Sequence, residues 1–85
     1  MIKNIMETIV SNKLDELASK VTMCNCPKCR DDIMASALNN LPPKYVSSNS
    51  GELYVKASNL SSAEVNDVTI TLLKAIKIVS ENPRH

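Results

Sequence analysis

The chain contains no phenylalanine, no tryptophan, one glycine and one histidine. A core therefore has to be built mainly from aliphatic side chains, and apolar residues, at 44% of the chain, are sufficient for one. A single glycine excludes a glycine-rich phosphate-binding loop. The only histidine, His85, stands at the last position and leaves no Ser-His-Asp arrangement for nucleophilic catalysis. The adjacent acids Asp31 and Asp32 would diverge by about 100° on a helix and could not share a proton, so we expect no enzyme activity.

Neither sign of charge dominates, because 10 basic and 9 acidic residues leave a net charge of +1. Proteins that bind nucleic acid usually concentrate cations on one surface, so this balance argues against DNA or RNA as the main partner. No apolar run approaches the ~18 residues of a membrane span, and residues 1–10 lack the features of a signal peptide. The odd number of cysteines, 3, and the lack of an export signal predict a location in the cytoplasm. The length of 85 residues predicts a single domain, residues 1–85.

All the cysteines lie in one short segment, Cys24-Asn25-Cys26-Pro27-Lys28-Cys29. Cysteines this close in sequence are poorly placed to meet the geometry of a disulfide bond. As thiolates they can converge on one tetrahedral zinc ion, and Cys-Pro-Lys-Cys is typical of a knuckle whose backbone N–H groups point at the sulfurs. We therefore predict zinc as the cofactor, with a structural role because the chain is small.

Zinc takes four ligands, and three thiolates leave one position to another group. His85 is one candidate, if the end of the chain returns to the cysteines. Asp31 or Asp32, a water molecule, or a group from a second subunit are alternatives. A further interpretation is that the three thiols are reduced and buried without a metal.

Two helices are predicted on either side of this knuckle. Apolar residues recur every three to four positions near the N-terminus, which predicts a helix over residues 2–20. A second helix is expected to start at Pro27, a residue suited to the first helical position, and to run to about Asn40. The adjacent prolines at 42–43 stop it, since proline disfavours helix in the residue before it. The expected fold is a mainly α, small helical domain with the zinc knuckle between its first two helices.

A third helix is expected to begin at a capping box formed by Ser61 and Glu64 and to end near Pro83. Its apolar surface is wider than one packing face requires, which favours burial on two sides and hence a homodimer. The predicted buried stripe consists of Val65, Val68, Leu72, Ala75, Ile76 and Val79, and the residues outside it are Ile70, Leu73 and Ile78. Alternating residues also allow a short β strand near 52–56, paired with 44–46 or with a second subunit.

Polar residues follow one side of the second helix and lead into the Pro-Pro corner. Asp32, Ser36 and Asn39 are spaced so that they share a face, and Asn40 lies four residues after Ser36. A carboxylate and amides on this face could read a purine edge. The corner adds a cation for phosphate and an aromatic ring, from Lys44 and Tyr45. The same pattern also fits a solvated helix face with a capped C-terminus, and composition alone favours that interpretation.

The cysteine segment is followed over residues 32–45 by Asp-x-x-Ala-x-Ala-Leu-Asn-x-Leu-Pro-Pro-x-Tyr. This combination resembles the late competence development protein ComFB family, most strongly over 24–46 and more weakly over the rest of the chain. The resemblance implies a small, mainly helical homodimer, with bound zinc in the cysteine-bearing branch and a link to genetic competence. It also implies a cyclic dinucleotide as ligand, since some members are receptors, chiefly for cyclic di-GMP.

Transferred residue by residue, the signature falls on Asp32, Ala35, Ala37, Leu38, Asn39, Leu41, Pro42, Pro43 and Tyr45. Receptor-type relatives commonly have lysine before the aspartate and arginine after the asparagine, where this chain has Asp31 and Asn40. Both differences remove a cation, and the ligand is a dianion. Arg30 and Lys44 are the nearby cations that could replace them. The expected ligand-binding residues are Asp32, Asn39, Asn40, Lys44 and Tyr45.

The residues and the resemblance together predict a non-enzymatic, zinc-binding, dimeric competence accessory or regulatory protein, with cyclic di-GMP as its candidate ligand. One alternative is a zinc-stabilised nucleic-acid-binding module of the DNA-uptake system, which the low net charge and the two tyrosines make weaker. The other alternative is a protein-interaction module without a small ligand.

Overall fold

Three helices and one pair of short strands make up the part of the chain that the computed structural model describes, residues 2–47 and 60–81. This confirms the mainly α prediction. The two strands form an antiparallel sheet, and α2 packs against both α1 and α3. In chain order the elements are β1 (Ile2–Asn4), α1 (Met6–Ala18), α2 (Pro27–Asn39), β2 (Tyr45–Ser47) and α3 (Ser62–Glu81).

The start of the first helix was predicted wrongly, because residues 2–4 form a strand rather than a helical turn. Ile2 lies opposite Ser47 and Asn4 opposite Tyr45 in the antiparallel register. The Asn4 side-chain oxygen accepts from the Met6 N–H at 3.1 Å, at the start of α1, and from the Lys44 N–H at 2.9 Å. An asparagine that satisfies backbone donors in this way favours a helix boundary over a helix interior.

The core lies where the three helices meet and is entirely aliphatic apart from Cys29. Its largest fully buried side chains come from the three helices and from the residue just before α1: Ile5, Val10, Leu14, Ile33 and Leu72. Burying such a side chain contributes about 1.5–3 kcal/mol relative to leaving it exposed, so each of these residues contributes substantially to the stability of the domain. Of the stripe predicted on α3, five residues are buried, whereas Val65 is 39% exposed.

Residues 45–47 have a strand partner that the sequence did not indicate. β2 pairs with β1, which lies at the start of the sequence. The strand predicted near 52–56 lies outside the described residues. Within 2–47 and 60–81, none of the helices combines the length and the apolar character that crossing a bilayer would require.

The start of α3 follows the predicted capping box. The Glu64 N–H donates to the Ser61 hydroxyl at 3.2 Å, and the Ser61 N–H donates to Glu64 Oε1 at 3.3 Å. The other carboxylate oxygen of Glu64 lies 2.7 Å from Lys44 Nζ. The lysine ammonium, followed by the Ser61 N–H, lowers the pKa of Glu64 below its ordinary value. The capping box is therefore joined to the segment that precedes β2.

Replacing Ser61 with alanine is expected to lower the free energy of unfolding by ~1 kcal/mol, because the Glu64 N–H loses its acceptor. In a domain of this size, that is a fall in melting temperature of about 4–8 °C. Ser62→Ala is the matched control, since Ser62 is exposed and lies outside the reciprocal pair. Equal melting temperatures for the two variants would contradict a stabilising role of the cap.

Candidate functional site

The three cysteines form a compact cluster between α1 and α2. Their Sγ atoms all lie within 4.8 Å of one another, and none of the three forms a disulfide bond. Cys24 is exposed, Cys26 is half-buried and Cys29 is buried against the core. The cluster therefore joins the connecting segment to the packed interior.

Local backbone geometry explains why the sulfurs converge. Cys26 is extended, with φ −73° and ψ 157°, and precedes the first residue of α2, Pro27. Its sulfur accepts from the Cys29 N–H at 3.4 Å, and its carbonyl accepts from the Arg30 N–H at 2.9 Å. Cysteine thus occupies the capping position that serine or aspartate usually takes. This is the N–H to sulfur contact that the knuckle sequence predicts.

The thiols differ in how readily each loses its proton. The Cys29 N–H stabilises the negative form of the neighbouring sulfur and lowers the pKa of Cys26. Burial, followed by the adjacent Cys24 and Cys26 sulfurs, raises the pKa of Cys29 to about 12. The arrangement therefore opposes three simultaneous thiolates unless a cation compensates their charge, and a bound metal deprotonates its thiol ligands.

The donor set and its spacing fit a soft metal ion. Three sulfurs around tetrahedral zinc, each at about 2.3 Å, would lie about 3.8 Å apart, so the cluster needs only a small contraction. Thiolates select zinc or another soft metal over calcium or magnesium, which prefer oxygen ligands. The three close cysteines can thus hold a metal ion.

A cavity of about 240 Å³ adjoins the sulfurs and extends to the last turn of α3. Its lining includes Cys24 and Cys29 on one side and Val79 and Ser80 on the other. Among the described residues, the metal-binding group contains cysteines alone, and neither Asp31 nor Asp32 belongs to it. His85 lies outside the described residues. The space for a fourth ligand is therefore next to the C-terminal end of α3.

Arg30, which follows the last cysteine, connects the knuckle to α1. One guanidinium nitrogen lies 2.6 Å from the Asp15 carboxylate and donates to both the carbonyl and the hydroxyl of Ser11, at 3.2 and 3.1 Å. The sequence suggested this arginine as a cation for the ligand face of α2. In the structure its charge is instead engaged between α1 and α2.

The expected ligand-binding residues occupy the end of α2 and the segment after it. Asp32 is half-buried on α2, and Asn39 is exposed at its last turn. Asn40 donates from Nδ2 to the Ser36 carbonyl at 2.8 Å, which ends the helix. Tyr45 is 62% exposed on β2. Lys44 is half-buried, and its ammonium pairs with Glu64.

A family model for the late competence development protein ComFB matches residues 3–83. This chain belongs to the ComFB family. A similar curated protein, the competence protein ComFB of Bacillus subtilis (strain 168), is 29% identical over 84 residues, which are 98% of this chain and 86% of the relative. The resemblance seen in the cysteine segment and the Asp32–Tyr45 signature is thereby confirmed.

The ComFB fold is also the fold of this chain. The solved structure of the late competence protein ComFB from Bacillus subtilis superposes with a TM-score of 0.78 and 24% identity. The superposition covers 98% of this chain and 94% of the solved one. The fold of this chain is therefore shared with that ComFB protein, whereas the residues that line its surfaces have to be considered individually.

Sequence reasoning missed the residues of this ComFB chain that face the polar side of α2. Ser36 and Asn40 line a depression of about 390 Å³ together with Thr71, Lys74 and Ile78 of α3. No local motif marks the three α3 residues. Only their helical spacing, which places 71, 74 and 78 on one side of α3, could have indicated that they act together.

Proposed function

We propose that this ComFB-family protein is a non-enzymatic, cytoplasmic regulator of genetic competence, built on a structural zinc ion, that acts as a homodimer and receives cyclic di-GMP. The observation that carries the proposal is the convergence of the three cysteine sulfurs on one point within a ComFB fold. The three parts of the proposal, metal, dimer and ligand, each have their own support and their own test.

Zinc would tie the segment between α1 and α2 to the helical core, in addition to the packing of α2 against α1 and α3. Cys24 belongs to the segment after α1, Cys29 lies in the first turn of α2, and the adjoining cavity is lined by the end of α3. His85 is the proposed fourth ligand. It lies four residues beyond Glu81, and an extended segment of that length spans at most roughly 13–14 Å. This reach is compatible with a return to the cavity beside Val79 and Ser80.

The homodimer is supported by apolar side chains on the side of α3 that faces away from the core. Ile70 and Leu73 on that side are 51% and 41% exposed, and Ile78, which borders the depression between α2 and α3, is 57% exposed. Large apolar patches are unusual on a monomer and commonly mark an interface. A two-fold dimer would also present each ligand-binding residue twice, which suits a cyclic dinucleotide because that ligand has two equivalent halves.

Ligand binding is supported by the position of the signature residues. Asn40 faces α3 across an open depression, and Asn39 and Tyr45 are exposed near the same end of α2. Amide groups can read a purine edge, and a phosphodiester requires a cation or several hydrogen-bond donors. The position after the signature asparagine, where receptor-type relatives commonly have arginine, is Asn40.

Asn40→Arg is therefore expected to tighten binding of cyclic di-GMP by about tenfold, since a charge-assisted hydrogen bond contributes ~1.5–3 kcal/mol. Isothermal titration calorimetry of the zinc-loaded protein measures this change. Asn12→Arg is the control, because it adds the same cation at an exposed position of α1.

The receptor proposal fails if neither the wild type nor Asn40→Arg binds cyclic di-GMP or cyclic di-AMP at tens of micromolar. Duplex DNA is titrated in parallel at two salt concentrations. Binding of DNA that weakens strongly with salt would support the nucleic-acid-binding alternative instead.

A further inference from the structure

The cations nearest the signature are already engaged within the protein. Lys44 Nζ lies 2.7 Å from the Glu64 carboxylate, and Arg30 lies 2.6 Å from the Asp15 carboxylate. A phosphate that bound either side chain would have to compete with an ion pair that also connects two elements of the fold. An anionic ligand on the polar side of α2 therefore requires another positive group.

The depression between α2 and α3 supplies one. Its lining consists of Ser36, Asn40, Thr71, Lys74 and Ile78, and no acidic side chain belongs to it. Its volume of about 390 Å³ lies within the ~300–1,000 Å³ range of pockets that hold small molecules. The lining of the depression thus carries one positive charge and no negative charge, and the depression is open and large enough for part of a nucleotide.

Lys74 is the only charged residue in this lining. It is exposed and makes no ion pair with any residue in 2–47 or 60–81. Lysine commonly binds phosphate as a compact point charge, and an ammonium carries three hydrogen-bond donors. Its charge is therefore available to a ligand, in contrast to those of Lys44 and Arg30.

The neighbouring side chains complement this ammonium. Ser36 and Thr71 bring hydroxyl groups, which can donate to phosphate oxygens. The Asn40 amide nitrogen is used by the Ser36 carbonyl, so the amide oxygen is the group that a ligand N–H or O–H can approach. Ile78 provides an apolar wall against which a base or a sugar can pack.

We propose that Lys74, with the hydroxyls of Thr71 and Ser36, forms a phosphate-binding subsite for a nucleotide, oriented by the amide oxygen of Asn40 and the side chain of Ile78. This rests on the proposed function in that the expected nucleotide is the cyclic dinucleotide. The shared chemistry is a phosphate ester, which a phosphodiester or a phosphomonoester can supply.

Lys74→Ala is expected to weaken cyclic di-GMP binding at least tenfold, measured by calorimetry on the zinc-loaded protein. Lys77→Ala is the matched control, because Lys77 is an exposed lysine of the same helix that does not line the depression. It should bind within about twofold of the wild type if nonspecific charge contributes little. Equal melting temperatures would show that both variants remain folded.

The outcomes separate this proposal from the receptor proposal. If the wild type and Lys74→Ala bind cyclic di-GMP equally well, the Lys74 subsite is wrong and the receptor function stands. If no cyclic dinucleotide binds, the receptor function is wrong and titrations with GMP and inorganic phosphate test the subsite. NMR shifts of the Thr71 and Lys74 amides that vanish in Lys74→Ala would then support it. Absence of these shifts in the wild type would overturn it.

Discussion

Replacing Cys26 or Cys29 with serine is expected to remove the bound zinc and to lower the melting temperature sharply. Each sulfur would supply one ligand of the proposed zinc site, and Cys29 also packs in the core. A ligand present at 1,000 times its dissociation constant stabilises the folded state by about 4 kcal/mol. In a domain of this size such a loss corresponds to about 16–32 °C. Metal analysis by mass spectrometry and thermal unfolding followed by circular dichroism measure the two effects.

Cys24→Ser separates metal loss from core packing, because the Cys24 side chain is exposed. If the metal is structural, this variant should lose zinc and much of the same stability, although no buried group has changed. A chelator should lower the melting temperature of the wild type and have little effect on the serine variants. Finding no zinc or other metal in protein purified without chelator would rule out the metal centre.

Leu73→Asp is expected to convert a dimer into a monomer. The Leu73 side chain is 41% exposed on α3 and has Ile70 beside it, 51% exposed. If these side chains are buried against a second copy, the new carboxylate would lie unpaired in an apolar interface, which costs about 3–5 kcal/mol. Sedimentation equilibrium should then show the wild type at twice the chain mass of 9.3 kDa and the variant at that mass.

Asn12→Asp is the control for added charge, since it introduces a carboxylate at an exposed position of α1 and should leave the mass unchanged. A wild type that sediments as a single 9.3 kDa species at micromolar concentration would contradict the dimer. A dimer that persists in Leu73→Asp would place the interface on a surface other than this side of α3.

Helix boundaries were predictable where their chemistry is local. Pro27 and the prolines at 42–43 enclose α2, which runs over Pro27–Asn39, close to the predicted span. The cap at the start of α3 is likewise local, because Ser61 and its partner Glu64 are three residues apart in the sequence. The start of α1 was not predictable in this way. Asn4 defines it together with the Lys44 N–H, which is 40 residues away, and Ile2 fits the spacing of a helix as well as that of a strand.

The candidate site also has features that are local in the sequence, which could be predicted, and features that depend on tertiary packing, which could not. The cysteines converge because they share one turn, so their spacing alone indicated a metal site. The backbone N–H of Cys29 donates to the sulfur of Cys26, as the knuckle sequence predicted. The engagement of Lys44 with Glu64 depends on how β2 approaches α3. The position of Lys74 opposite Asn40 depends on how α2 lies across α3. Neither the Lys44–Glu64 pair nor the position of Lys74 opposite Asn40 can be predicted from a local sequence pattern.

The pairing of residues 2–4 with 45–47 has a consequence for the order of folding. This strand pair closes a loop that contains α1, the knuckle and α2. Bringing the ends of a long flexible loop together has an entropic cost that grows with its length. The cost falls once α1 and α2 have formed a helical hairpin, because the hairpin already brings the two ends close to each other. The short sheet is therefore expected to form late, after the two helices have packed together, and to fix a hairpin that has already assembled.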